Sequence, residues 1–367
     1  MSAYIHQLAN WPKFTWNQKK NFPVLAAVHH QQGRLLGRME ALGFGLKAEA
    51  TLQTLTLDVL KSSEIEGELL NADQVRSSIA RRLGMDIASL IPADRNVEGV
   101  VEMMLNATQN FTDPLTDERL FSWHAALFPT GRSGMQKIIT GAWRNNAADD
   151  PMQVVSGAMG REKVHYQAPD AGLLADEMSK FLQFFNNAMD IDPVLKAAIA
   201  HVWFVTIHPF DDGNGRIARA IADMQLSRAD GTAQRFYSMS AQIRKERNSY
   251  YDILEATQKG DLNITDWLSW FLNCLDRSLK ATDETLGAVL HKAKFWEHHA
   301  KTVLNNRQLL MINKLLDGFT GKLTTSKWAT ITKSSQDTAL RDIQDLMEKN
   351  ILVKEPGGGR STSYIVS

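Results

Sequence analysis

Cysteine is almost missing: Cys274 is the single one in 367 residues. That excludes an intramolecular disulfide and a multi-cysteine zinc site, and it fits a reducing, cytoplasmic compartment. An excess of charge of either sign is missing too. The 41 basic and 41 acidic residues give a formal net charge of zero with histidine neutral. This balance argues against a dedicated nucleic-acid binder and against a polybasic membrane-surface protein. No hydrophobic run is long enough to span a bilayer. The most apolar stretch, 194–207, is interrupted by Lys196 and His201. It falls short of the roughly 20 residues a membrane helix needs. Residues 1–16 lack the apolar core of a signal peptide. No GxxxxGK[ST] occurs, which argues against a P-loop NTPase. His291, His298 and His299 lack a partnering HExxH and read as a solvated helix face, not a zinc site. What remains is ordinary for a globular protein: 44% hydrophobic and 22% charged residues. At roughly 100–200 residues per domain, the length suggests two or three domains.

Helical periodicity dominates. Apolar residues recur three and four apart over 22–42, 46–62, 71–83, 96–109, 116–128, 171–187 and 193–207. The same spacing continues over 215–229, 245–258, 264–277, 283–304 and 306–317. Residues 153–156 and 164–167 read as two short strands around Gly157 and Gly160, hence a β-hairpin. The C-terminal stretch differs again. Helices near 306–317, 324–332 and 335–349 precede a strand at 351–354, a turn at 356–359 and a strand at 362–366. Three helices and a terminal hairpin make a winged-helix pattern. Boundaries fall near 92–96 and within the helix around 280–300.

The stretch that carries chemistry is His208-Pro209-Phe210-Asp211-Asp212-Gly213-Asn214-Gly215-Arg216-Ile217-Ala218-Arg219. Gly213 and Gly215 permit backbone conformations that a Cβ resists. A Gly-Asn-Gly turn opening a helix points free N–H groups outward, and the helix dipole adds to them, making an anion site. Arg216 and Arg219 are three apart, so both guanidiniums share the first turn and suit phosphate groups. Asp212 is a hard oxygen ligand that suits Mg²⁺ beside phosphate. His208 titrates near neutral pH and suits a general base. One such residue is most simply a capped helix or a solvated face. All of them within twelve residues point to a phosphate-handling site.

This stretch resembles the signature of the Fic (filamentation-induced by cAMP) domain family, HPFx[D/E]GNGRxxR, at all nine specified positions. The resemblance implies an all-α fold: a Fic helical core with a small β-hairpin flap. It also implies transfer of AMP from ATP to a Tyr, Ser or Thr hydroxyl of a target protein. In that reading His208 resembles the general base and Asp212 the Mg²⁺ ligand. Gly213, Asn214 and Gly215 resemble the anion hole for the α- and β-phosphates, and Arg216 and Arg219 the β- and γ-phosphate ligands. Phe210 anchors the loop. The hairpin sits where the family has its target-docking flap, with Val164, His165 and Tyr166 as the pinning strand. Gly141-Ala142-Trp143-Arg144 resembles the element upstream of the flap. Tyr250-Tyr251 resembles the tyrosine pair beside the adenine, with Tyr251 the ATP-binding member. Self-modification and a homodimer belong to the same implied repertoire.

Far upstream, Ser62-Ser63-Glu64-Ile65-Glu66-Gly67 resembles the family's inhibitory motif, [S/T]xxxE[G/N], through Ser62, Glu66 and Gly67. It implies that Glu66 pairs with Arg219 and occupies the γ-phosphate seat. The plain alternative is a helix C-terminus at Gly67. Residues 68–84 and the 4–16 segment resemble the long bacterial subgroup. There extra N-terminal helices precede the core and a winged-helix-like module follows. The expected division is 1–95, an N-terminal helical module with the inhibitory helix; 96–290, the Fic catalytic core; and 291–367, the winged-helix-like module.

Two further readings stay open. A de-AMPylase of the same fold would use Glu66 to position water. A winged-helix regulator would use the core only to sense a nucleotide. Against the latter, the recognition-helix candidate 335–349 holds four acids and two bases, which suits DNA phosphates poorly.

Overall fold

The computed structural model describes residues 4–85, 90–147, 149–157, 161, 163–187, 190–319, 321–355 and 362–367. The protein is mainly α-helical, as its periodicity predicts. It divides into two compact units, 1–83 with 91–283, and 84–90 with 284–367.

In the first unit the helices are α1 (Gln18–Glu40), α2 (Phe44–Ile65), α3 (Ala72–Arg82), α4 (Arg95–Gln109) and α5 (Asp117–Leu127). Two-residue strands β1 (Arg132–Ser133) and β2 (Gln136–Lys137) follow. Then come the hairpin β3 (Gln153–Ser156) and β4 (Lys163–Gln167), and α6 (Leu174–Asn186), α7 (Pro193–Ile207), α8 (Asn214–Asp230), α9 (Met239–Lys245) and α10 (Arg247–Gln258). The starts are chemically set. Asn17, Asn71, Thr116, Asp192 and Ser238 each accept a first-turn backbone N–H, the standard remedy for orphan donors. Pro193 opens α7, where its missing N–H does no harm.

α7 and α8 form the centre. Every α7 residue from Val194 to Ile207 is buried, as are most of α8. α7 therefore reads as apolar all round, the mark of a helix enclosed by others. α2 packs on α3, α4, α8 and α9, and α4 on α5 and α8. The helices before residue 96 thus share one unit with the core, and α2 delivers its C-terminus to α8. Gly99 shows how close these helices come: a Cβ there would collide with the Ala126 carbonyl.

The long helix α11 (Thr265–His298) contributes to both units. Two segments, 264–277 and 283–304, were expected there. No proline separates them, so the hydrogen-bond ladder continues through. The second unit adds α12 (Asn306–Leu316), α13 (Thr325–Thr332), α14 (Gln336–Glu348) and the antiparallel strands β5 (Leu352–Lys354) and β6 (Tyr364–Val366). Trp328, Ile343, Leu346, Met311 and Leu352 form its core. The element order follows the sequence reading. The turn at 356–359, and Gly160 in the flap, lie outside the described residues.

Candidate active site

α7 ends at Ile207, and His208 caps it with left-handed backbone, φ 51° and ψ 57°. A non-glycine residue there is strained. The strain is held from outside: Arg144 donates from Nε to the His208 carbonyl at 2.8 Å, and its backbone N–H donates to the Pro209 carbonyl at 3.0 Å. Nη2 of Arg144 also donates to the Pro169 carbonyl at 2.5 Å, tying the turn to the chain just after the flap. The His208 ring is half-buried, and burial pushes its pKa down to about 4. It is therefore neutral at pH 7. Nδ1 faces the Val205 carbonyl at 3.3 Å, which assigns the ring proton to Nδ1 and leaves Nε2 as the basic atom.

The loop to α8 is braced from inside. Asn214 accepts from the Phe210 N–H at 3.0 Å and donates to the Phe210 carbonyl at 2.8 Å. The Phe210 ring stacks on His124, centroids 4.1 Å apart. His124 accepts from the Gly141 N–H at Nδ1, so Nε2 donates to the Asp212 carbonyl at 3.2 Å. The Asn214 side chain thus closes the loop, and only its backbone N–H is left for an anion. Gly213 has φ 79°, and a Cβ there would press on the Phe128 ring. Glycine is required on both counts.

The two aspartates of the loop differ. Asp211 accepts from the Ile139 N–H at 2.8 Å and so holds a neighbouring loop. Asp212 accepts from the Gly213 N–H at 2.5 Å and from the Ser133 hydroxyl. Among the described residues no group of three His, Cys, Asp or Glu side chains converges to hold a metal. A carboxylate near two buried guanidiniums suits Mg²⁺, which commonly takes one or two carboxylates and completes its shell with phosphate and water.

Both arginines are buried and both meet a carboxylate. Arg219 Nη2 lies 2.8 Å from Glu66 Oε1. Its Nε donates to Ser62 Oγ at 3.0 Å, and Nη2 also to the Ser62 carbonyl at 2.9 Å. Arg216 Nη1 lies 2.7 Å from Glu68 Oε2, and its guanidinium stands 5.0 Å over the Phe128 ring. Arg216 Nε and Arg219 Nη1 are buried without an acceptor among the described residues. Such unsatisfied guanidinium donors favour an anion richer in oxygens than these two carboxylates. A side chain at Gly215 would collide with the Glu66 carboxylate, so that carboxylate rests against the first turn of α8.

Glu66 reaches this seat because α2 ends there. Gly67 has φ 87°; its N–H bonds to the Glu64 carbonyl at 3.2 Å, and the Glu68 N–H to the Ser63 carbonyl at 3.0 Å. This is a Schellman termination. The plain reading, a helix C-terminus, and the pairing with Arg219 therefore hold together. Arg247 Nε donates to the Ile65 carbonyl at 2.7 Å, and its guanidinium stacks 4.9 Å over Tyr251. Burial and then Glu66 raise the Tyr251 pKa to about 12, so its hydroxyl stays protonated and donates to Glu66 Oε2 at 3.3 Å. Tyr250 is buried, bonded to His201 at 2.9 Å, and its hydroxyl also lies beside the Arg219 guanidinium.

In the flap, β3 and β4 pair antiparallel. Val164 is exposed opposite the exposed Val155. Tyr166 is buried, donating to the Thr206 carbonyl at 2.6 Å, so its side chain anchors the flap to α7 and does not face a target. His165 bonds Glu255 of α10.

The structure therefore gathers His208, Asp212, Gly213, Gly215, Arg216, Arg219, Ser62, Glu66, Gly67 and Tyr251 around the start of α8. Sequence reasoning missed Glu68, Ser133, His124 and Glu255. Glu68 alone had a local signal, since it directly follows the motif.

Comparison with known proteins places a family domain across this region. Residues 114–226 match the Fic/DOC family model, and residues 4–85 match a domain of unknown function, DUF4172. A protein adenylyltransferase Fic of Culex quinquefasciatus is 28% identical over 249 residues, covering 66% of this chain and 44% of that protein. One of Aedes aegypti is 29% identical over 226 residues, covering 60% and 40%. The chain spans less than half the length of these curated relatives. The crystal structure of a Fic family protein from Desulfovibrio desulfuricans superposes with a TM-score of 0.54 at 19% identity, over 97% of this chain and 98% of that one. That likeness establishes the fold.

Proposed function

On the premise that the chain carries a Fic/DOC family domain, we propose that it is a self-inhibited protein adenylyltransferase. It moves AMP from ATP to a Tyr, Ser or Thr hydroxyl of a target protein. The observation that carries the reading is the pairing of Glu66 with Arg219 against the first turn of α8, beside a neutral His208. A carboxylate held there competes with a phosphate for one guanidinium.

His208 Nε2 takes the proton of the target hydroxyl, and the oxygen attacks the α-phosphorus as pyrophosphate leaves. General-base help of this kind is worth roughly 10²–10⁴-fold. Arg216, Arg219 and the amides of Asn214 and Gly215 hold the phosphates, and Tyr251 flanks the base. Most of the acceleration is positioning and charge stabilisation, as in other phosphoryl transfers. Asp212 would hold Mg²⁺, which would neutralise charge on the phosphate oxygens when bound. Ser133 and the Gly213 N–H orient that carboxylate. The exposed edge of β4 at Val164 receives the target's main chain. We assign 1–95 as the inhibitory module, 96–290 as the catalytic core and 291–367 as a winged-helix-like module with a protein-facing role. In that module Asp342 is paired with Arg307, and Asp345 with Lys349, so α14 uses its acids internally.

Incubation with ATP labelled at the α-phosphate and a cell lysate tests the reading. Label should pass to lysate protein with wild type and fail with His208→Ala. Release of pyrophosphate without labelled protein would reject it.

A further inference from the structure

The helix that delivers Glu66 meets α8 along a seam with a regular register. Asp58 and Ser62 on α2 and Glu66 at its C-cap lie four residues apart, so they share a face. Gly215, Arg219 and Asp223 do the same on α8. The two rows run antiparallel and match rung by rung. The Glu66 carboxylate rests against Gly215, Ser62 Oγ accepts from Arg219 Nε at 3.0 Å, and the Asp58 carboxyl meets that of Asp223. The first two rungs belong to the site already described. The third, one turn further along both helices, sets two acids face to face, Asp58 at 2% exposure and Asp223 at 1%.

Two buried acids in contact need a proton between them, because a carboxylate only accepts. Oδ1 of Asp223 is taken by Arg235, whose Nη2 lies at 2.6 Å, while Oδ2 meets no donor among the described residues. Oδ2 is therefore the oxygen that carries the proton. Burial, and next Asp58, push the Asp223 carboxyl well above the usual carboxylate range, so it stays protonated at neutral pH. Asp223 donates and Asp58 accepts. Asp58 Oδ1 also accepts from the Ser238 hydroxyl and from the Ser240 N–H at 3.2 Å, so one side chain ties α2 to both α8 and the start of α9.

Apolar packing is non-directional and tolerates a slide along the seam. A buried hydrogen-bonded pair has one alignment, and fixing register is the best-attested use of such groups. A slip of one residue along a helix is about 1.5 Å, enough to part Glu66 from Arg219, which now lie 2.8 Å apart. We propose that Asp58 and Asp223 are positioning residues for Glu66: their shared hydrogen bond sets the register of α2 on α8 and so holds the Glu66 carboxylate at Arg219. The assignment rests on the self-inhibited adenylyltransferase reading above and names the device that seats its inhibitor. Both acids act through Glu66, not on the nucleotide. Breaking their bond lets the end of α2 shift, and Arg219 is then open to a phosphate more of the time.

Labelling of lysate protein from ATP marked at the α-phosphate is compared for wild type, Asp58→Ala, Asp58→Asn, Glu66→Gly and the double variant of Asp58→Ala with Glu66→Gly. Asp58→Ala should raise the rate about fivefold, the equilibrium worth of one net hydrogen bond. Asp58→Asn should stay at the wild-type rate, because its amide N–H donates to Asp223 and its carbonyl still accepts from Ser238 and Ser240. In the Glu66→Gly background no carboxylate remains to be held, so adding Asp58→Ala should change nothing. An acid that only supports the fold would instead lower labelling in both backgrounds, and that result overturns the assignment. So does Asp58→Ala at the wild-type rate beside an activated Glu66→Gly, or Asp58→Asn rising as far as Asp58→Ala. If Glu66→Gly is itself no more active than wild type, the self-inhibition reading falls, and Asp58 has no restraint to serve.

Discussion

Glu68 Oε2 lies 2.7 Å from Arg216 Nη1, two residues after Glu66 meets Arg219 at 2.8 Å. One turn, Glu66-Gly67-Glu68, thus sets a carboxylate on each arginine of the proposed phosphate site. Glu68 is about half exposed, so its pair is worth little, roughly 0.5–1 kcal/mol. Glu68→Ala should therefore lower the KM for ATP only a few-fold. Placed on Glu66→Gly, the same change should depart from additivity, because both residues ride one turn. Nucleotide titrations of the two single variants and the double variant measure this. Full additivity would mean that the two carboxylates act independently.

Burial lowers the His208 pKa to about 4, so its ring is already deprotonated well below neutrality. The pH profile of kcat/KM for ATP should show no inflection near 6.5, the ordinary histidine value, and should fall only toward pH 4. An acid limb centred at 6.5 would show that the ring is solvated in the working enzyme.

Asp212 and Asp211 should separate cleanly. Asp212→Ala should abolish the dependence of activity on Mg²⁺ concentration. Asp211→Ala should leave that dependence intact and destabilise the fold by roughly 1–3 kcal/mol, since it strands the Ile139 N–H. Magnesium titration together with thermal melting gives both readouts. The reverse ranking would move the metal to Asp211.

Stability should fall in mild acid. His124 and His201 are buried, and burial lowers their pKa values to about 4 and about 3. Between these values and 6.5 the unfolded chain binds protons that the folded chain refuses. Stability is therefore full above about 6.5 and drops as the pH falls, by up to about 1.4 kcal/mol per pH unit for each ring. Urea unfolding at pH 7 and pH 5 measures it, and His201→Gln should flatten the slope.

The sequence made some of this plain and hid the rest for physical reasons. His208, Asp212, Arg216 and Arg219 lie within one turn and the helix it opens, so linear spacing already puts them together. Glu66 was readable because its motif fixes both the helix end and the reach of its side chain. Glu68 sits one residue past that motif, and its partner is 148 residues away. Arg144 belonged to a recognisable element, but its hold on the His208 carbonyl crosses 64 residues. Asn214 looked like an anion ligand because its neighbours are glycines; in the fold its amide group braces Phe210. Tyr166 looked like part of a docking strand, and only the depth of α7 shows that its ring turns inward. α9 escaped notice because seven residues give too little periodicity, and β1–β2 because two-residue strands give none.

The central claim is that Glu66 restrains an adenylyltransferase by holding Arg219. Labelling from ATP by wild type, Glu66→Gly and Arg219→Ala, run side by side, tests it most directly. The account predicts that Glu66→Gly raises adenylyl transfer tenfold or more, about 1.4 kcal/mol, because ATP then supplies the anion that Arg219 lacks. It predicts that Arg219→Ala, which breaks the same pair, lowers transfer because a phosphate ligand is lost. Glu66→Gly no more active than wild type, with Arg219→Ala matching it, would contradict the account.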